Sequence, residues 1–278
     1  MTNKKLIIGA ISGDIIGSVF EWHNVKSLNF NLFCPKSRFT DDSVLTLATM
    51  YALINNTDYT QAYYTFARKF PNAGYGHSFR QWISSDDPKP YNSWGNGSAM
   101  RVSPIGWFYN SIDDTLLEAK RSAEVTHNHV EGIKGAQATA AAIFLARTGK
   151  SKDEIKNFII DKFGYNLTRK IDDIRPGYEF DVSCQGSVPE AIIAFLESTD
   201  FENTIRLAVS IGGDSDTIAC IAGGIAEAFY KNIPDIITDN VLKILPGELI
   251  SIIEEFSTLC LKSAQDAPES AAVPEAPR

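Results

Sequence analysis

Cysteine is sparse: Cys34, Cys184, Cys220 and Cys260 are scattered, with no Cys-x-x-Cys pair. That excludes a zinc ribbon or a disulfide scaffold and leaves reduced, mostly structural thiols as the expectation. Long apolar runs are also missing, since no stretch reaches the ~18 residues that a membrane-spanning helix needs. Lys4 and Lys5 ahead of Leu6, Ile7 and Ile8 start as a signal peptide would. Asp14 breaks the run, however, and no Ala-x-Ala site follows. The expected compartment is the cytoplasm, with no membrane partner. Nor is there a basic surplus: 26 Lys and Arg face 34 Asp and Glu, for a net charge of −8. This balance argues against nucleic acid as a partner. An anionic ligand would need metal ions, helix N-termini or backbone amides to hold it. The Gly-x-Ser-x-Gly elbow, the Walker A loop and the dinucleotide-binding fingerprint are absent, which removes the commonest serine-hydrolase and nucleotide-fold readings.

What is present is a globular composition, with 44% hydrophobic and 22% charged residues over 278 positions, enough to bury one sizeable core. Helical spacing dominates and β-branched alternation is scarce. The pattern predicts helices over residues 6–20, 40–53, 58–70, 112–124, 132–148, 152–163, 188–197, 201–209, 216–230 and 246–261. Residues 71–100 read as one long loop rich in Gly, Pro, Asn and Ser, the kind that tends to carry function. The organisation expected is a single all-α domain over residues 1–262, then a disordered tail over 263–278 of Ala, Pro, Glu and Ser.

Two acidic clusters stand ahead of apolar helices: Thr40, Asp41, Asp42, Ser43 and Gly212, Gly213, Asp214, Ser215, Asp216, Thr217. Either alone reads as helix capping, because Thr, Ser and Asp accept first-turn N–H groups and complement the helix dipole. One residue suffices for a cap, though, and the surplus carboxylates repel unless solvent or a cation separates them. Asp carboxylates and Thr hydroxyls from two helix starts suit the oxygen coordination of one or two Mg²⁺ ions. Gly95 and Gly97 flank Asn96, either as an ordinary turn or as a loop whose amides face an anion. After them, Ser98, Ala99 and Met100 open a short helix and Arg101 adds charge or packs. His127 and His129 at a helix start suit a cap or surface feature better than a zinc set, with His127 free to bond a phosphate or ribose. Glu21 is either a surface terminus or a placed acid/base, and Cys184 has no recognisable nucleophile context.

In order, GDIIGSVFEW, FTDDSVLTLA, YNSWGNGSAMRVSPIGW, THNHVEGIKGAQATA, SCQGSVPEAI and SIGGDSDTIACIAGGIAEAFY resemble the ADP-ribosylglycohydrolase family, which includes the dinitrogenase-reductase-activating glycohydrolases. The likeness runs from residue 8 to about residue 233. It implies a compact orthogonal helical bundle with a dinuclear Mg²⁺ site, or Mn²⁺ in its place, in a central cleft. The implied ligands are Thr40, Asp41, Asp42, Asp214, Asp216 and Thr217. Gly95, Asn96, Gly97, Ser98, Met100 and His127 would bind substrate, and Glu21 or Asp216 would accept the proton of the attacking water. Ser43 stands where the family also uses Thr, keeping the hydroxyl. The implied partner is an ADP-ribosylated protein or a small ADP-ribosyl compound, with ADP-ribosyl-arginine the leading expectation. Two rivals stay open: a two-metal phosphohydrolase cutting the diphosphate, and a non-catalytic ADP-ribose-binding protein.

Overall fold

Side-chain caps open seven of the helices among the described residues. In the computed structural model, which describes residues 6–263, α1 (Gly9–Gly17) leads to α2 (Asp41–Asn55), whose N-cap Thr40 accepts the Asp42 N–H. Next come α3 (Tyr59–Lys69), capped by Asp58, then α4 (His77–Ser84), α5 (Gly97–Met100) and α6 (Ser103–Phe108). Ser111 caps α7 (Ile112–Glu124), and the His129 ring accepts the Glu131 N–H at the start of α8 (Val130–Arg147). A Ser151/Glu154 capping box opens α9 (Lys152–Phe163). The chain continues through α10 (Ile171–Ile174), α11 (Cys184–Glu197), α12 (Phe201–Ile211), α13 (Ser215–Tyr230), α14 (Asp235–Ile244) and α15 (Gly247–Ser263). Among the described residues the fold is all-α, and the one β feature is an isolated bridge between Gly95 and Ser183. No helix there is long and apolar enough to cross a membrane.

The sequence pattern places the helices over residues 112–124 and 152–163 where α7 and α9 lie. It misses α4, α6, α10 and α14. At 8 and 10 residues α4 and α14 are short, and α4 lies inside a stretch whose Gly, Pro, Asn and Ser content reads as loop. The expected loop over residues 71–100 is therefore interrupted by α4 and ends in α5. Beyond Ser263, which ends α15, the tail expected to be disordered lies outside the described residues.

Helices α1 and α13 meet backbone to backbone. Gly9, Gly13 and Gly17 recur every fourth residue, so they share one face of α1. A Cβ on Gly13 would sit 2.0 Å from the Ala219 carbonyl oxygen, and one on Gly17 would sit 2.5 Å from the Asp216 Cα. This contact offsets the poor helix propensity of glycine. Because Gly9 faces Gly223 while Gly17 faces Asp216, the two helices run antiparallel, bringing the end of α1 to the start of α13. At the opposite end, the buried Glu227 of α13 accepts the Ile8 and Gly9 N–H groups at 2.9 and 2.7 Å, a carboxylate at the positive end of α1. One core cluster extends from Ile7 to Cys260, with the Ala-rich α8 running through it.

Replacing Gly13 with alanine tests this contact. Propensity alone predicts stabilisation of ~0.5–1 kcal/mol, but the clash should reverse the sign and cost ~1–3 kcal/mol. Urea denaturation reads the difference, and a more stable Gly13→Ala protein would disprove the close approach.

Candidate active site

The antiparallel pairing of α1 and α13 sets the N-terminus of α13 beside that of α2, with Asp14 between them. Asp14 is fully buried on α1 and reaches across to α2. Its carboxylate accepts the Thr40 N–H at 2.9 Å, the Thr40 hydroxyl at 2.6 Å, the Ser43 N–H at 3.1 Å and the Ser43 hydroxyl. Burial raises its pKa, while the Ser43 and Thr40 hydrogen bonds pull the other way. Thr40 Oγ1 thus donates to Asp14 and accepts from Asp42 N, which leaves one lone pair uncommitted.

The other carboxylates gather around this joint. Asp42 is buried; its Oδ1 accepts the Thr217 hydroxyl at 3.3 Å and its Oδ2 has no hydrogen-bond partner among the described residues. Burial, then the charges of Asp14, Asp41 and Asp214, hold it well above the usual carboxylate range. Asp41 is pushed up to about 8, first by burial and then by Asp14, with Asp214 and Glu21 adding to it. At the start of α13, the N-cap residue Asp214 accepts from Asn96 Nδ2 at 2.7 Å, and Asp216 accepts the Thr217 N–H at 3.0 Å. Burial raises both, and for Asp216 the neighbouring Asp214 adds to the effect. Glu21, just past the end of α1, is pushed up to about 7 by burial and then by Asp214, against the pull of Arg38. Glu21, Asp214 and Asp216 each bring an oxygen within 4.8 Å of the others.

These residues line one cavity of about 470 Å³. Thr40, Asp41, Asp42, Asp214, Asp216, Thr217 and Glu21 all reach it, as do Gly95, Asn96, Gly97, Met100 and His127. Ser98 does not: it is buried and donates to the Gly132 carbonyl at 2.7 Å. The Gly95 to Met100 segment is also less open to an anion than its glycines suggest. The Gly95 N–H goes to Ser93 Oγ and the Asn96 N–H to the Val182 carbonyl. A Cβ on Gly97 would lie 3.2 Å from His127 Nε2, so glycine there leaves room for the imidazole. Asn96 also donates to Ser187 at 3.0 Å, which anchors the side chain that holds Asp214.

Several residues escape the sequence pattern. Asp14 is visible only as a carboxylate inside an apolar segment. Trp22 is 70% exposed and stacks on Phe180 at the cavity rim, ring centroids 5.0 Å apart; nothing in the pattern pairs residues so far apart. Tyr91 lies against His127 at 5.9 Å. His129 serves as the cap of α8. Cys34, Cys184 and Cys220 form no disulfide among the described residues, and burial pushes the Cys184 thiol up to about 12, far from a nucleophile's range.

Comparison with known proteins places this architecture. The chain is 28% identical over 309 residues to the human ADP-ribosylhydrolase ARH3, covering 82% of this chain and 85% of that protein. The Xenopus tropicalis ADP-ribosylhydrolase ARH3 is 27% identical over 299 residues, 81% and 85% of the two chains. The ADP-ribosylarginine hydrolase Tri1 of Pseudomonas putida (strain GB-1) is 30% identical over 161 residues, covering 54% of this chain and 41% of that one. Among solved structures, an ADP-ribosylglycohydrolase-related protein complex shares the fold, with a TM-score of 0.67 and 23% identity over 91% of this chain and 96% of that chain. The sequence model of the ADP-ribosylglycohydrolase family matches residues 4–266, so the chain belongs to that family.

Proposed function

We propose that the chain hydrolyses the glycosidic bond between ADP-ribose and an arginine side chain, releasing ADP-ribose. The observation that carries this reading is the meeting of Glu21, Asp214 and Asp216 within 4.8 Å on the wall of one cavity. A hard divalent cation fits the donors there. They are carboxylate and hydroxyl oxygens, and Asp42 Oδ2 is buried with no hydrogen-bond partner among the described residues. Thr40, Asp41, Asp42, Asp214, Asp216 and Thr217 would hold two Mg²⁺, or Mn²⁺ in their place. Bound there, the ions supply positive charge and Lewis acidity to the ribose hydroxyls and the attacking water.

The remaining work falls to side chains. Glu21, on the cavity wall beside Asp214 and Asp216, is placed to take a proton from water and return it. The water oxygen bonds to the anomeric carbon as the bond from that carbon to the guanidine nitrogen breaks, through an oxocarbenium-like state. The water's proton passes by way of Glu21 to the departing nitrogen. Asp216, the other candidate acceptor, is buried and engaged by the Thr217 N–H, which suits a ligand better. Asn96 steadies Asp214, while Gly95, Gly97, Met100 and His127 hold the diphosphate and ribose. Support for arginine comes from the exposed face of Trp22 stacked on Phe180 next to Glu21. A planar cation stacks well on such a face, and the acidic cavity favours its charge.

Incubation with ADP-ribosyl-arginine and ADP-ribosyl-serine peptides, followed by mass spectrometry, tests the reading. ADP-ribose should appear from the arginine peptide with Mg²⁺, vanish with EDTA, and fall about 10³-fold or more in an Asp214→Asn, Asp216→Asn double variant. AMP as product would instead mean diphosphate cleavage, and tight ADP-ribose binding with no release would mean a binding protein.

The carboxylates also set a pH dependence. Asp41 at about 8 and Glu21 at about 7 lie above their ordinary values of 3.8 and 4.5. Between those limits the metal-free folded chain therefore binds more protons than the unfolded chain. The stability this contributes is full below about pH 4 and is lost as pH rises through about 7 to 8. Thermal melts of chelator-treated protein should drop from about pH 5 to about pH 8, with Mg²⁺ restoring most at the upper end. A melting temperature that does not fall over this range would contradict the arrangement.

A further inference from the structure

His127 is bonded from behind by a buried pair that leaves its proton one place to sit. Arg101 is fully buried and lies over the Tyr63 ring at 4.1 Å. Its Nη2 donates to the Ser122 carbonyl and to Thr126 Oγ1, both at 2.8 Å, while Nε and Nη1 have no hydrogen-bond partner among the described residues. Thr126 Oγ1 in turn lies 2.7 Å from His127 Nδ1. An arginine only donates, so one lone pair of Thr126 is taken, and its single proton needs an acceptor. Among the described residues the one within reach is His127 Nδ1, because Thr126 is fully buried and makes no other side-chain bond. If Nδ1 carried the proton, Thr126 would receive two donors and its own buried O–H would go unpaired, at a cost of ~1–3 kcal/mol.

We infer that Arg101 and Thr126 are positioning residues that lock His127 in the Nε2–H tautomer, so that a neutral donor faces the substrate cavity beside Gly95 and Gly97. The ring's far nitrogen is on that side: a Cβ at Gly97 would meet Nε2 at 3.2 Å and one at Gly95 at 3.6 Å. Nε2 makes no hydrogen bond within the described residues, and His127 lines the cavity. Burial and the Arg101 charge both keep the imidazole neutral. The ligand chemistry that suits a fixed neutral N–H is an acceptor oxygen, a diphosphate or a ribose hydroxyl; this half of the inference rests on the proposed ADP-ribose reading.

Imidazole ¹⁵N correlation spectra of ¹⁵N-histidine-labelled protein test the lock directly, because the chain has four histidines and a His127→Asn sample assigns the signal. The wild type should show Nε2 protonated and Nδ1 bare at neutral pH. Thr126→Ser should keep that pattern and wild-type affinity for ADP-ribose. Thr126→Val should release it to a tautomer mixture and weaken ADP-ribose binding about tenfold by calorimetry. A wild-type His127 protonated at Nδ1 overturns the inference even if Thr126→Val fails to fold. So does a Thr126→Val protein with an unchanged tautomer and unchanged affinity. Absence of ADP-ribose binding by the wild type would sink the functional reading and the ligand half of this one, while the spectrum judges the lock separately.

Discussion

Mutual repulsion among buried carboxylates is the constraint around which this molecule is organised. Unit charges about 5 Å apart at an effective dielectric near 20 repel by roughly 3 kcal/mol, and Glu21, Asp214 and Asp216 reach that spacing. Asp41 and Asp42 add to the same wall, and Asp14 lies fully buried behind it. Two helix N-termini supply part of the compensation: α2 gives Asp14 two backbone N–H groups, and the Thr217 N–H at the start of α13 bonds Asp216. Hydroxyls and Asn96 supply more. Burial is the leading cause of the raised pKa values of all six groups, and repulsion from neighbouring carboxylates of the cluster adds to it for Glu21, Asp41, Asp42 and Asp216.

The scaffold has to hold these groups together against that repulsion. Backbone contact between α1 and α13 is how it does so, since side chains at Gly13 or Gly17 would push the acidic termini apart. Glu227 fixes the far end of α1 by accepting its first N–H groups, so the helix is tied at both ends by carboxylates, Glu227 from α13 and its own Asp14 to α2. Chemistry and packing therefore share the same residues. A side chain introduced into the glycine face would act on stability and on the carboxylate spacing together.

Much of this is legible in the sequence. The surplus of Asp, Ser and Thr at the starts of α2 and α13 exceeds what capping requires, and that excess marks both acidic walls in the order of residues alone. Glycines recurring in the first helix announce a close contact without saying with what. Asp14 is harder to read: its partners are 26 and 29 positions away, and a single acid in an apolar helix has no periodic signal. The Gly95–Gly97 loop misleads in part, because the nearby Ser93 hydroxyl and the sequence-distant Val182 carbonyl already claim two of its amides. Ser98 turns inward for a similar reason, since the Gly132 carbonyl offers it a partner. The 8-residue α4 is hidden for another reason, since the Gly, Pro, Asn and Ser around it read as loop.

The central claim is that the raised carboxylates are poised for divalent cations. Calorimetric titration of Mn²⁺ or Mg²⁺ into chelator-treated protein at neutral pH, in two buffers of different ionisation enthalpy, measures ion binding and proton release together. The account predicts saturable binding accompanied by release of protons, because Asp41 and Glu21, at about 8 and about 7, are partly protonated before the ions arrive. Binding with no proton release, or no saturable binding at all, would contradict it.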